Sequence, residues 1–201
     1  MWNARFLFLV IMVIIVTAIF VILKSSKDLY RAIPADLNTS MQTGEFDDWR
    51  EFVPNDGSFT VQVPAIPQYT ADTVVDPKSG AKRRYDIYIA EKGNGNLFMI
   101  TMITYPSEGD LSNPEDIFQT VIDETLASNT ENQLVDKQIR SYQNHKTLDF
   151  TIQNPDIHTA CRAFIIGRTL YLLSYIAKND EYNVKEFDHF VDSFSLTPSG
   201  A

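Results

Sequence analysis

A chain of 201 residues with one cysteine and 44% hydrophobic content has room for one ordinary domain and a short extra segment, which excludes a second large core and a disulfide scaffold. Its charge is uneven: from Glu45 onward 24 acidic residues face 13 basic ones, a net −11. Such a surface repels phosphate backbones and argues against any nucleic-acid partner.

Residues 1–5 are a short leader. From Phe6 to Leu23 the chain runs FLFLVIMVIIVTAIFVIL, without a charge and with Thr17 its only polar side chain. At about 1.5 Å per residue it spans roughly 27 Å as a helix, which predicts a transmembrane signal-anchor over residues 6–23 and makes a bilayer the first expected partner. A cleaved signal peptide is the competing reading. The apolar run exceeds the usual length of about 7–15 residues, and Ile22-Leu23-Lys24-Ser25 lacks the small-x-small pattern of a cleavage site. Arg5 on one side and Lys24, Lys27 and Arg31 on the other leave orientation open by charge. The layout of a short leader followed at once by an apolar helix places the domain on the periplasmic side of a bacterial inner membrane. Residues 24–48 show neither helical nor alternating periodicity and read as a flexible stalk.

The domain is expected over residues 49–197, with a tail at 198–201. It opens with WREFVPNDGSFTVQVPAIP, where Asn55-Asp56-Gly57 supplies turn residues and Phe59, Val61 and Val63 alternate behind them, a hairpin signal. Strands follow at Tyr69–Val75 and Lys82–Glu91, the latter with Tyr85, Ile87 and Ile89 on one face and Asp86 and Tyr88 on the other. Leu97–Thr104 is apolar on both faces, so it is a strand covered from both sides. A helix begins at Asn113-Pro114-Glu115-Asp116, combining a capping Asn, a first-turn Pro and acidic residues at the positive end of the dipole. Its apolar stripe is Ile117, Phe118, Val121, Ile122 and Leu126. Strands are expected at Gln133–Tyr142 and Lys146–Gln153, then a long hairpin, Ile157–Ile166 and Leu170–Ala177, around Gly167-Arg168. A last helix from Glu181 to Phe194 would put Val184, Phe187, Val191 and Phe194 at core spacing and pair Glu181 with Lys185 on its wet side. This order predicts an α+β fold, an antiparallel sheet covered by helices.

No arrangement carries an active-site signature, so catalytic, cofactor-binding and metal-ligating residues are all assigned as none. His158 and Cys161 lie three apart on a predicted strand and point to opposite faces, which reads as a core thiol and an edge histidine. Asp188 and His189 diverge by about 100° on a helix, and His145 has no partner nearby. The carboxylate pairs Asp47-Asp48, Glu115-Asp116, Asp123-Glu124 and Asp180-Glu181 fit no calcium loop and read as solvated faces. Lys82-Arg83-Arg84 reads as an exposed hairpin end. The aromatics Tyr85, Tyr88, Tyr105, Phe164, Tyr171 and Tyr175 read as core, with a pocket lining as the alternative. The glycines at 57, 80, 93, 95, 109 and 167 fall at turns, so no phosphate loop or nucleophile elbow is present.

The pattern W-x-x-F-x-x-x-D-G-x-F-x-V-x-x-P, formed by Trp49, Phe52, Asp56, Gly57, Phe59, Val61 and Pro64, together with Phe187-x-x-Phe190-Val191-Asp192-Ser193-Phe194-Ser195-Leu196, resembles the PsbP-like superfamily (Mog-PsbP-like domains), which includes bacterial DcrB-type exported proteins. The resemblance implies a central antiparallel sheet between helices, an α/β/α sandwich usually without catalysis, in proteins that dock onto larger assemblies. It transfers no functional residue. The function expected is a membrane-anchored, non-catalytic interaction or assembly module of a cell envelope with a protein partner. The alternatives are a small-ligand or lipid-binding domain and a hydrolase with an unrecognised site.

Overall fold

The computed structural model describes residues 45–75, 80–142 and 144–197. The leader, the apolar segment at 6–23, residues 24–44 of the expected stalk and the tail lie outside the described residues. Among the described residues no helix is long and apolar enough to cross a membrane.

Among the described residues ten strands and two helices follow one another as β1 (Arg50–Phe52), β2 (Phe59–Val63), β3 (Gln68–Val75), β4 (Lys82–Glu91), β5 (Leu97–Thr104), α1 (Pro114–Ala127), β6 (Gln133–Tyr142), β7 (His145–Gln153), β8 (Ile157–Ile166), β9 (Thr169–Lys178), α2 (Val184–Ser193) and β10 (Ser195–Leu196). Seven strands form one antiparallel sheet in the order β3-β4-β5-β9-β8-β7-β6, and β1, β2 and β10 form a second, small sheet. Two meanders therefore meet where β9 returns beside β5, with Leu97 opposite Ile176 and Thr104 opposite Thr169. The α1 connection carries the chain from the middle of the sheet to its far edge.

Strand alternation sorts the core into two layers. On one face Ala90, Phe98, Ile100, Met102, Ala160, Phe164, Tyr171, Leu173 and Tyr175 pack under the small sheet and α2, which contribute Trp49, Phe59, Val61, Val63, Phe187, Phe190 and Val191. On the other face Tyr85, Ile103, Leu148, Phe150, Ile152, Cys161, Ala163 and Leu170 pack under Phe118, Val121 and Ile122 of α1. The chain thus has a mostly antiparallel sheet with a helix on each face, as expected. The hairpin of β1 and β2 was expected, but not its standing apart as a small sheet closed by β10. Its strands are only two to five residues long, and β10 pairs with β2 from the far end of the chain, Ser195 opposite Thr60.

Local signals explain most boundaries. Asn113 caps α1, its side chain accepting from the Glu115 amide, and Pro114 takes the first turn. Gly57 and Gly167 sit at φ +64° and +57°, where a side chain is strained, and each closes a hairpin turn. The last helix corrects the sequence expectation. It begins at Val184, not Glu181, because Asn183 is its cap and accepts from the Lys185 amide at 3.1 Å. Glu181 therefore precedes the helix and reaches Lys178, while Lys185 pairs with Glu45. Val184 is exposed in the opening turn, and Phe190, which the expected stripe left out, is fully buried. The expected stalk also ends early. Residues 45–48 form a turn whose Phe46 stacks on His189 of α2 at 4.1 Å between ring centroids, since a ring of that size is better buried than wetted.

Candidate functional site

The groups with chemistry to offer fall into four neighbourhoods. Three lie on the α2 side of the sheet, each around one buried charge, and the fourth is a cleft beside α1.

Glu186 stands in the first turn of α2. Its Oε1 accepts from Lys92 Nζ at 2.6 Å and its Oε2 from the Tyr175 hydroxyl at 2.7 Å, and that hydroxyl accepts in turn from Asn96 Nδ2 at 2.9 Å. The β4–β5 turn presents Lys92 and Asn96 together because the Lys92 amide bonds the Asn96 carbonyl at 2.8 Å. Burial, then the carboxylate, pushes the Tyr175 phenol well above its ordinary range. A phenol so held stays a donor at neutral pH, which is the state that satisfies Glu186. This network joins helix, turn and sheet, and every polar tip in it but one is occupied from within: Asn96 Oδ1 is buried without a hydrogen-bond partner.

Arg162 lies at the centre of β8, opposite Asp149 of β7. Its guanidinium donates twice to that carboxylate, at 2.8 and 2.9 Å, lies 5.1 Å from the centre of the Tyr142 ring, and approaches Asp192 of α2 at 3.5 Å. The fork geometry suits arginine and leaves the group no direction from which to bind a further anion. Asp86 of β4 is the third centre. Arg84 donates to both of its oxygens at 2.8 Å and Tyr69 donates its hydroxyl at 2.7 Å, so the carboxyl is held below its usual range, chiefly by Arg84.

The fourth neighbourhood is a cleft of about 280 Å³ where α1 crosses β6 and β7, with Phe118, Ile122 and Leu148 on its floor and Glu115, Gln119 and Lys137 among its rim residues. Lys137 donates to Gln119 across it at 2.9 Å, and Lys146 pairs with Glu115.

The residues weighed from sequence are dispersed. Cys161 is buried, donates to Ser174 at 3.4 Å, and burial pushes its thiol up to about 12. His158 belongs to the opposite face, stacked on Tyr182 at 3.6 Å, so the two do not meet. β8 is an interior strand, so His158 is half-buried at a strand end and not at a sheet edge. Burial lowers the pKa of both His158 and His189. His189 faces Phe46 and the edge of Trp49, and does not engage Asp188. Lys82-Arg83-Arg84 opens β4 with its side chains split: Arg83 lies over the Tyr105 ring at 5.1 Å, and Arg84 serves Asp86. Burial raises the carboxyl of Glu124 on α1. The six weighed aromatics pack in or against the two cores, and the cleft lies elsewhere. Sequence reading passed over Arg162, Asp149, Glu186 and Asn96. A charge inside the apolar run ACRAFII was a usable signal for Arg162. Nothing local links Lys92 to Glu186, which are 94 positions apart.

No family model matches this chain. No curated protein matches it either. Among solved structures, the solution structure of cyanobacterial PsbP (CyanoP) from Synechocystis sp. PCC 6803 aligns at 14% identity and a TM-score of 0.51, covering 80% of this chain and 99% of that one. A crystal structure from Bacteroides thetaiotaomicron VPI-5482 aligns at 12% identity over 77% of this chain and 50% of that one, with a TM-score of 0.39. The first likeness shows a PsbP-like fold, and at such identity it speaks for the fold alone.

Proposed function

We propose that this chain is a non-catalytic interaction or assembly module held at a membrane by residues 6–23, with its domain on the outer side, in the manner of DcrB-type PsbP-like proteins. One observation carries the reading. The buried charges at Glu186, Arg162 and Asp86 are spent on partners within the fold, whereas large apolar side chains stand exposed beside β1 and at the start of β3. Val53, Ile66 and Tyr69 are exposed there, and Phe52 and Tyr69 both pack on the Tyr88 ring behind them. Chemistry needs polar groups turned towards a substrate, and docking needs apolar surface turned towards water. The lipid or small-ligand reading has less support, because the aromatic residues that would line its pocket fill the core.

A photo-crosslinking residue placed at Ile66 in the full chain, within its native membranes, tests the proposal. The expected result is an adduct of one defined larger mass, absent when the probe is moved to the exposed Glu108 between β5 and α1. Adducts at both positions, or at neither, would argue against a docking surface. Retention of the full chain in the pellet after alkaline carbonate extraction is the expected result for the anchor, and release into the supernatant would refute it.

A further inference from the structure

The seven-stranded sheet ends in β3 on one side and β6 on the other, and an edge strand offers its outward amides and carbonyls to any extended chain. The two edges are finished differently. On β3 the Thr73 amide already donates to the Asp72 carboxylate at 2.7 Å, and a second copy laid symmetrically about Asp72 would set two carboxylates face to face. On β6 the pairing register shifts between Leu134 and Asp136. Beyond that bulge Asp136, Gln138 and Arg140 stand in one row on the α2 side of the sheet. They are joined end to end: Gln138 Nε2 donates to Asp136 at 3.2 Å, and Arg140 donates to Gln138 Oε1 at 2.8 and 3.2 Å.

This row reads acid, amide, base in one direction and base, amide, acid in the other. We propose that β6 pairs antiparallel with β6 of a second copy about a two-fold axis through Gln138, so that Asp136 of each copy faces Arg140 of the other and the two sheets become one. Opposite charges directly across a strand pair stabilise it, and like charges oppose it. On the reverse face Lys137 falls opposite Ile139, whose exposed side chain the lysine methylenes cover. A shift to a centre at Ile139 would set Asp136 against Tyr142 and Gln138 against Arg140, losing both ion pairs, so charge selects the register. The two-fold also closes the assembly. Pairing β6 with β3 would be head-to-tail and would extend without end.

The test uses a residue that meets itself on the axis. Gln138→Cys in the full chain, in detergent micelles under a mild oxidant, should be captured as a disulfide dimer, since directly opposed Cβ atoms lie about 4.5–5.5 Å apart, close enough to bridge after a small adjustment. Thr70→Cys on the other edge should not be captured, and Cys161 is buried. Adding Asp136→Arg to Gln138→Cys sets Arg against Arg at both symmetry-related contacts and should lower capture about thirtyfold, the effect of roughly 2 kcal/mol. Adding Arg140→Asp should do the same. Mixing those two variants should restore capture as a heterodimer, which a mere folding defect in either would not allow. Capture of Gln138→Cys no greater than that of Thr70→Cys would overturn the proposal, as would preferred capture of Ile139→Cys or failure of the mixture to recover.

Discussion

Arg162 shows what one buried charge does in this fold. The residue sits in an apolar strand and is tolerated because Asp149 lies directly opposite and accepts both arms of its fork. Removing Arg162 strips Asp149 of its two-pronged partner and leaves it only the more distant Arg140 at 3.5 Å, which costs more than the pair contributes. Arg162→Ala should therefore lower the unfolding free energy by about 3–5 kcal/mol in urea titration, whereas Arg162→Met combined with Asp149→Leu should cost much less, since no orphan charge remains. His189 supplies a pH signature. Its folded pKa lies below the unfolded value of about 6.5 because burial under Phe46 disfavours the cation. The unfolded chain then binds the proton more readily, so its share of the stability is present above about pH 6.5 and is lost as pH falls through the folded pKa. Urea midpoints measured between pH 7.5 and 5 should fall, and His189→Phe, which keeps the stack, should make that slope shallower, leaving the share of His158. Cys161 makes a third expectation. A fully buried thiol pushed up to about 12 should resist an aromatic disulfide reagent in the native protein and react at once in denaturant.

At the scale of elements, caps and turns place the helices and hairpins, and packing holds them. Asn113 and Asn183 each present a side-chain oxygen to an amide of the first helical turn, so substitution of either by Ala should cost about 1 kcal/mol by thermal or urea melting. Phe190 is a different case. It contacts Phe98 from the middle of α2 at 5.4 Å between centroids and is fully buried, and Phe190→Ala should cost about 3–5 kcal/mol in the same assay. Most strands were legible from alternation, and the doubly apolar β5 does lie between two cores. The start of α2 was misplaced because Glu181 fits a helical charge pair as well as it fits the turn before a helix. Capping by Asn183 decides between the two, and it depends on φ and ψ that composition does not reveal.

On the scale of the whole molecule, the two cores share strands. β9 gives Leu170 to the α1 side and Leu173 and Tyr175 to the α2 side, so neither layer can open without exposing the back of the other. The small sheet adds a second link, since β10 pairs with β2 near the start of the domain. Such coupling favours one cooperative transition. Far-ultraviolet and near-ultraviolet circular dichroism of the full chain in detergent should lose signal at the same urea concentration, and two separate midpoints would show that the layers unfold independently.

The sequence by itself determined the kind of element at nearly every point from Trp49 to Leu196, the antiparallel α+β class and the separation of His158 from Cys161 on opposite faces of one strand, because periodicity, turn chemistry and alternation act between near neighbours. Which strands lie side by side beyond the hairpins at Gly57 and Gly167, the union of the first and last strands of the domain in a separate sheet, and the burial of Glu186 against Lys92 and of Arg162 against Asp149 were decided only by the tertiary structure. Those contacts join residues far apart along the chain, and such partners come to face one another only when the two apolar faces of one sheet have been covered.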